Sequence, residues 1–169
     1  SDLSMAWTLQ IGVLGQFEAS PLVVDGVMFV VTPTDATGPN YLIAIDLESE
    51  GRILWEFRPD IPNLERTLQV TCCGAQTRGL NYAEGKVFYH SLDGQVFAIG
   101  ARTGEAVWRS QGADIAIGET TPGNGIVAGD LYIIGNAGGE FGVRGKVQAF
   151  DIDDGTLGWV MYNMGPNDE

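Results

Sequence analysis

AIDLESEGRILW (residues 44–55), AIGARTGEAVW (98–108) and AFDIDDGTLGW (149–159) are one motif written three times. Each runs from alanine through an apolar residue and a polar, glycine-containing turn to a tryptophan. Trp55, Trp108 and Trp159 are roughly 50 residues apart. Upstream of each motif lies a second pair of short apolar runs broken by glycine: SPLVVDGVMFVVT (20–32), LNYAEGKVFYHS (80–91) and GIVAGDLYIIGN (125–136). Valine, isoleucine and aromatic residues around Asp-Gly, Glu-Gly or Gly-Asp are strand and hairpin chemistry. Each unit therefore predicts four short antiparallel strands, the pattern of a propeller blade.

The fold class expected is all-β: a β-propeller with tryptophan-docking repeats, in blades at about 20–57, 80–110 and 125–162. Trp7, in SMAWTLQ, reads as the end of a preceding unit. Propellers close with four to eight blades, and an open arc of three leaves sheet flanks bare. The expectation is a part of a larger ring, completed by the same or other chains, with a compact three-unit domain as the alternative. The repeated tryptophans read as blade-docking groups without chemistry, because one large buried ring per unit suits packing.

The 169 residues, 44% hydrophobic and 18% charged, suit a globular chain with a real core. No window of a dozen or more residues carries a helical stripe, and no apolar run is long enough to span a bilayer. The opening SDLSMAWTLQ has neither the basic nor the apolar region of a signal peptide. Nine Lys and Arg against 22 Asp and Glu give a net charge of −13. Such a surface repels nucleic acid and anionic membrane. It suits a cationic partner, or solubility alone.

QVTCCGAQTRG (69–79) holds the only two cysteines, side by side. Three readings stay open on chemistry alone: two unrelated thiols, part of a metal site, or a mutual bridge. Zinc motifs need spaced pairs and more ligands. A bridge between neighbours is strained and closes almost no loop, so its use would be local. It would also require an oxidising compartment. His90 has no second His or Cys at ligand spacing and reads as an ordinary strand residue.

The Cys-Cys-x4-Arg-Gly block at 72–79 and GGEFGVRG at 138–145, set among the tryptophan repeats, resemble the pyrroloquinoline-quinone (PQQ) dependent alcohol dehydrogenases. The likeness is closest to methanol dehydrogenase large subunits of the lanthanide-dependent type, and runs over essentially the whole chain. It implies about three blades of an eight-bladed PQQ-type propeller. It implies that Cys72 and Cys73 form a vicinal disulfide against one face of PQQ. Glu18 matches a carboxylate that hydrogen-bonds PQQ, and Arg78 an arginine near the quinone oxygens and a PQQ carboxylate, placed to polarise the carbonyl that receives hydride. Glu140 matches a ligand of the lanthanide or calcium ion. Gly138 and Gly139 imply close backbone approach to the cofactor, and Arg144 reads as structural.

Two positions depart from the family pattern. Pro122 stands where the family usually has Thr, and Ala137 where it has Ser. Thr120 or Thr121 is the expected substitute donor. The family's general-base aspartate, metal-ligand asparagine and lanthanide-selecting aspartate match nothing here, so the isolated chain is expected to lack dehydrogenase activity. The resemblance further implies a small primary alcohol as substrate, a cytochrome c as electron acceptor, a periplasmic location and a homodimeric parent enzyme. The rival readings are a non-catalytic propeller chain acting as a binding or assembly module, and a scaffold of the kind used in outer-membrane assembly.

Overall fold

A computed structural model describes residues 2–34, 41–72, 74 and 76–165. Among the described residues, twelve strands form three four-stranded antiparallel sheets, each in simple meander order. The first sheet holds β1 (Leu22–Val24), β2 (Val27–Val31), β3 (Leu42–Asp46) and β4 (Arg52–Phe57). The second holds β5 (Asn81–Ala83), β6 (Lys86–His90), β7 (Gln95–Gly100) and β8 (Ala106–Gln111). The third holds β9 (Ile126–Ala128), β10 (Leu131–Gly135), β11 (Lys146–Asp151) and β12 (Leu157–Tyr162). These are the blades that the repeat predicts.

The alanine-to-tryptophan spacing has a local cause. Ala44, Ala98 and Ala149 pair across their sheets with Trp55, Trp108 and Trp159, and each ladder shifts register by one residue just after the alanine. The alanines are fully buried, so only a methyl group fits beneath each indole. The indole then reaches the next blade. Trp55 Nε1 donates to the Ala101 carbonyl (3.1 Å) and Trp108 Nε1 to the Ile152 carbonyl (3.0 Å). Beneath each ring lies a glycine with positive φ: Trp7 over Gly51, Trp55 over Gly104, Trp108 over Gly155. A Cβ at any of the three would come within 2.7 Å of an indole carbon. Trp7 therefore docks as a blade tryptophan, although no strand forms among the described residues before Leu22.

Two cores lie between the sheets. Phe29, Val31, Leu42 and Ala44 face Val87, Tyr89, Phe97 and Ile99; Phe88, Val96, Ala98 and Trp108 face Tyr132, Ile134, Phe150 and Ile152. A third cluster packs Trp7, Leu9, Ile11 and Val13 on Tyr41, Ile43 and Ile45. The far side of the third sheet leaves Trp159 39% and Met161 49% exposed.

One element departs from the sequence reading. Leu64–Val70 is a seven-residue α-helix, α1, leading to Cys72. It is shorter than the window that periodicity needs, and Asn63 makes no side-chain cap. Burial of Thr67 and Val70 holds it instead, as expected where tertiary packing rather than propensity sets a short helix.

Candidate functional site

The β1–β2 and β3–β4 turns and their equivalents close one end of the sheets, the turn end, and the β2–β3 connection, its equivalents and the links between sheets cross the other. Most of the candidate residues lie on those connections. Arg78, between α1 and β5, sets Nε 2.8 Å from Glu18 Oε2, both side chains 37% exposed. Gln76, 3% exposed, donates to the other Glu18 oxygen and to Gln16 Oε1 (3.4 Å). Arg78 also donates from an Nη to the Pro122 carbonyl (3.3 Å). A half-exposed pair of this kind adds at most about 1 kcal/mol. Its effect is on direction: the two bonds engage two of the guanidinium's five N–H donors and aim the planar fork.

Arg78 lines a cavity of about 250 Å³ with Pro122, Gly123, Asn124, Gly135, Asn136 and Ala137. Thr120 and Ala137 form an isolated antiparallel bridge at its back, with N–H···O distances of 3.2 and 2.8 Å. Thr121 is fully buried, and its hydroxyl donates to the Ser91 carbonyl (2.7 Å). A hydroxyl has one proton, so Thr121 has none left for an anion. Thr120 is 1% exposed, and its backbone N–H and carbonyl are both engaged in the bridge to Ala137.

Behind the cavity sits a buried network that sequence reading missed. Glu119, 5% exposed, pairs with Lys146 Nζ (2.8 Å) and accepts from the Asp114 N–H and from Asn136 Nδ2. Asn136 Oδ1 accepts from the Lys146 N–H (2.8 Å). Buried charges are expected to be paired in this way. No spacing announces the pair, because Glu119 lies on the connection before β9 and Lys146 opens β11.

Gly138 has φ +122°, and a Cβ there would stand 2.4 Å from the Gly118 carbonyl oxygen. The glycine is required by that backbone crossing. Gly139 faces open space. Glu140 is exposed on a 3-10 turn, Gly139–Phe141, and does not line the cavity. Among the described residues no group of three or more His, Cys, Asp or Glu is placed to hold a metal ion. A hard cation takes six to eight oxygens, so the described residues do not make a metal site around Glu140. Cys72 is exposed and disulfide-bonded; Cys73 lies outside the described residues.

His90 is buried at the loop end of β6. Its Nδ1 lies 2.9 Å from the Tyr132 hydroxyl and its Nε2 2.9 Å from the Gly123 carbonyl. Burial pushes the imidazole down to about 4, so the ring is neutral at ordinary pH. A larger cavity, about 540 Å³, opens at the turn end between the first two sheets, lined by Val24, Val27, Phe29, Tyr82 and Arg102 among others. It contains none of the candidate residues, and we place the candidate site at Arg78.

The arrangement at Arg78 suits an anion with several acceptor oxygens: a directed guanidinium faces open backbone across a small cavity, with no carboxylate in the lining. A family model described as outer membrane protein assembly factor BamB matches residues 4–162. The lanthanide-dependent methanol dehydrogenase of Methylacidiphilum fumariolicum (strain SolV) is 41% identical over 170 residues, covering 100% of this chain and 27% of that protein. Methanol dehydrogenase (cytochrome c) subunit 1 of Paracoccus denitrificans is 39% identical over 174 residues, covering 99% of this chain and 27% of that protein. Among solved structures, a europium-containing methanol dehydrogenase superposes with a TM-score of 0.89 at 39% identity, over 98% of this chain and 28% of that one. BamB from Moraxella catarrhalis shares the fold, with a TM-score of 0.65 at 21% identity over 95% of this chain and 40% of its own. The chain thus spans about a quarter of the length of these methanol dehydrogenases, to which it is similar over its whole extent, and it belongs to the PQQ-type β-propeller family.

Proposed function

We propose that these residues form one wall of the cofactor site in a PQQ-dependent dehydrogenase that oxidises a primary alcohol, methanol or one like it, to the aldehyde. The observation that carries this reading is Arg78, held by Glu18 and the Pro122 carbonyl at the edge of the cavity. Its remaining N–H groups bind a PQQ carboxylate or quinone oxygen. Thr120 and the open backbone at Gly139 border the same anion, and Gly138 holds that backbone in place. Thr121 braces the wall through Ser91 and does not itself donate. Cys72 and Cys73, bridged to each other, form the platform beneath the ring. Held there by Arg78, PQQ would supply the two-electron acceptor for oxidation of the alcohol. The base that takes the hydroxyl proton of the alcohol is not in the cavity lining, so the isolated chain does not turn over.

In the parent enzyme the three blades are part of a ring of eight. Glu140 is one ligand of a lanthanide or calcium ion whose other ligands come from elsewhere. Electrons pass to a cytochrome c in the periplasm, where the oxidising medium sustains the disulfide and the acidic surface steers a basic partner. The parent enzyme works as a homodimer.

One observation favours a second reading, a non-catalytic propeller that binds other proteins. Pro122 presents a carbonyl to Arg78 and has no N–H, and Ala137 adds only backbone. An absorbance titration of PQQ into the 169-residue chain separates the two. Saturable binding at millimolar PQQ or below, weakened about tenfold or more in Arg78→Ala and partly kept in Arg78→Lys, is expected for one charge-assisted contact. Absence of saturable binding, or indifference to Arg78→Ala, sinks the cofactor reading and leaves the binding module.

A further inference from the structure

The connection that receives Arg78 reads Thr121-Pro122-Gly123-Asn124-Gly125, and its composition denies it ordinary anchors. Proline has no N–H, and the glycines have no side chains. Thr121 is tied at its start, through its N–H to the Leu92 carbonyl and its hydroxyl to Ser91. Asn124 accepts an exposed bond from Asn81 Nδ2 (3.0 Å). Between these, buried His90 reaches the loop with Nε2, in a half-buried bond to the Gly123 carbonyl. That carbonyl is the neighbour of the Pro122 carbonyl on which Arg78 rests.

We propose that His90 is the positioning residue of this wall: as the neutral Nε2–H tautomer it holds the Gly123 carbonyl onto the second blade, and so fixes the Pro122 carbonyl that aims Arg78. The tautomer follows from the partners. A carbonyl only accepts, so Nε2 carries the proton. Nδ1 then offers a lone pair to the Tyr132 O–H, and burial pushes Tyr132 up, so its phenol keeps that proton. Three elements meet in one ring: β6 supplies His90, β10 supplies Tyr132, and the loop supplies Gly123. Tyr132 also explains the end of the loop, since a Cβ at Gly125 would stand 2.5 Å from its ring. The hydrogen bond of the imidazole to the cavity lining is to Gly123, so its effect on Arg78 is transmitted through the loop backbone.

The proposal rests on the PQQ reading only for what Arg78 binds. Its test is first made on the chain without cofactor. Imidazole nitrogen NMR of the chain is expected to show Nε2 protonated and Nδ1 bare at neutral pH; a proton on Nδ1 overturns the proposal outright. The N–H exchange rate of the Arg78 guanidinium is then compared in the parent chain, His90→Phe, which fills the space but cannot donate, and His90→Gln, whose amide can. About tenfold faster exchange in His90→Phe, largely restored in His90→Gln, is expected for loss and return of one ordinary hydrogen bond. Exposed Arg102, at the turn end, serves as the unmoved control. Folded His90→Phe with unchanged Arg78 exchange overturns the proposal, and so does an equal change in both variants. PQQ titration of the same proteins follows. If Arg78 exchange responds while no protein binds PQQ, the strut stands and the cofactor reading falls.

Discussion

Replacing Gly155 by alanine tests whether tryptophan docking holds the blades together. Gly155 has φ +73°, and a Cβ there would lie 2.5 Å from Trp108 Cε3 and 2.9 Å from Ser110 Oγ. Gly85 is the matched control: φ +75°, with nothing within 4 Å of the same methyl. Both substitutions carry the left-handed backbone penalty of about 1–2 kcal/mol. Only Gly155→Ala also drives the indole away from its seat. Carbon contacts settle near 3.5–4.0 Å, so the ring must retreat by about 1 Å. That strains a filled core by about 1–3 kcal/mol and weakens the Trp108 Nε1 bond to Ile152, worth about 1 kcal/mol. Gly155→Ala is therefore expected to cost about 3–6 kcal/mol and Gly85→Ala about 1–2 kcal/mol, in urea unfolding with equal m values. The gap of at least about 2 kcal/mol is the quantity at issue, since backbone strain cancels from it. Equal costs in the two variants refute the docking argument.

Acidification tests His90 separately. The ring titrates at about 4 when folded, below its ordinary 6.5, because burial opposes the charge. The unfolded chain therefore binds the proton first, and stability present above pH 6.5 is lost as pH falls towards 4. Linkage gives about 2 kcal/mol lost between pH 7.5 and 5. His90→Gln should flatten that slope in urea melts, and an unchanged slope removes His90 as its source. At the turn end, Lys86 closes the second inter-blade cleft by bonding the Ile152 carbonyl (3.0 Å) and Asp153 (2.6 Å). Val27 and Arg102 occupy the matching positions at the first cleft, which stays open. Val27→Lys with Arg102→Asp should stabilise more than the two single changes summed, by a coupling of about 0.5–1 kcal/mol; a double-mutant cycle without coupling contradicts the equivalence. Dye-linked assays with methanol, PQQ and either metal should show no turnover by the isolated chain, and measurable oxidation by pure protein overturns the missing-base argument.

What could be read in advance divides along physical lines. The blades were legible because alanine, glycine and tryptophan each answer a constraint that recurs in every repeat: a methyl beneath the indole, a left-handed turn below it, and the indole itself. A constraint met three times leaves a periodic trace. Arg78 and Cys72 stood out through unusual local blocks, and resemblance supplied their roles; Glu18, which looks like any loop acid, came from resemblance alone. The residues that hold the wall have no such trace. Glu119 and Lys146 pair across 27 positions, and His90 meets Gly123 across 33. Nothing in the neighbourhood of any of the four advertises a partner. His90 even reads correctly as a strand residue, since β6 ends on it. Its position at that strand end is what lets the ring reach both Tyr132 and the loop. Helix α1 was hidden for a related reason: two buried side chains, Thr67 and Val70, hold a segment too short to show a stripe. The sequence thus exposes what the fold repeats, and conceals what the fold does once. A binding wall is made mostly of the second kind, because its contacts join strand ends and loops at positions that the repeat does not share.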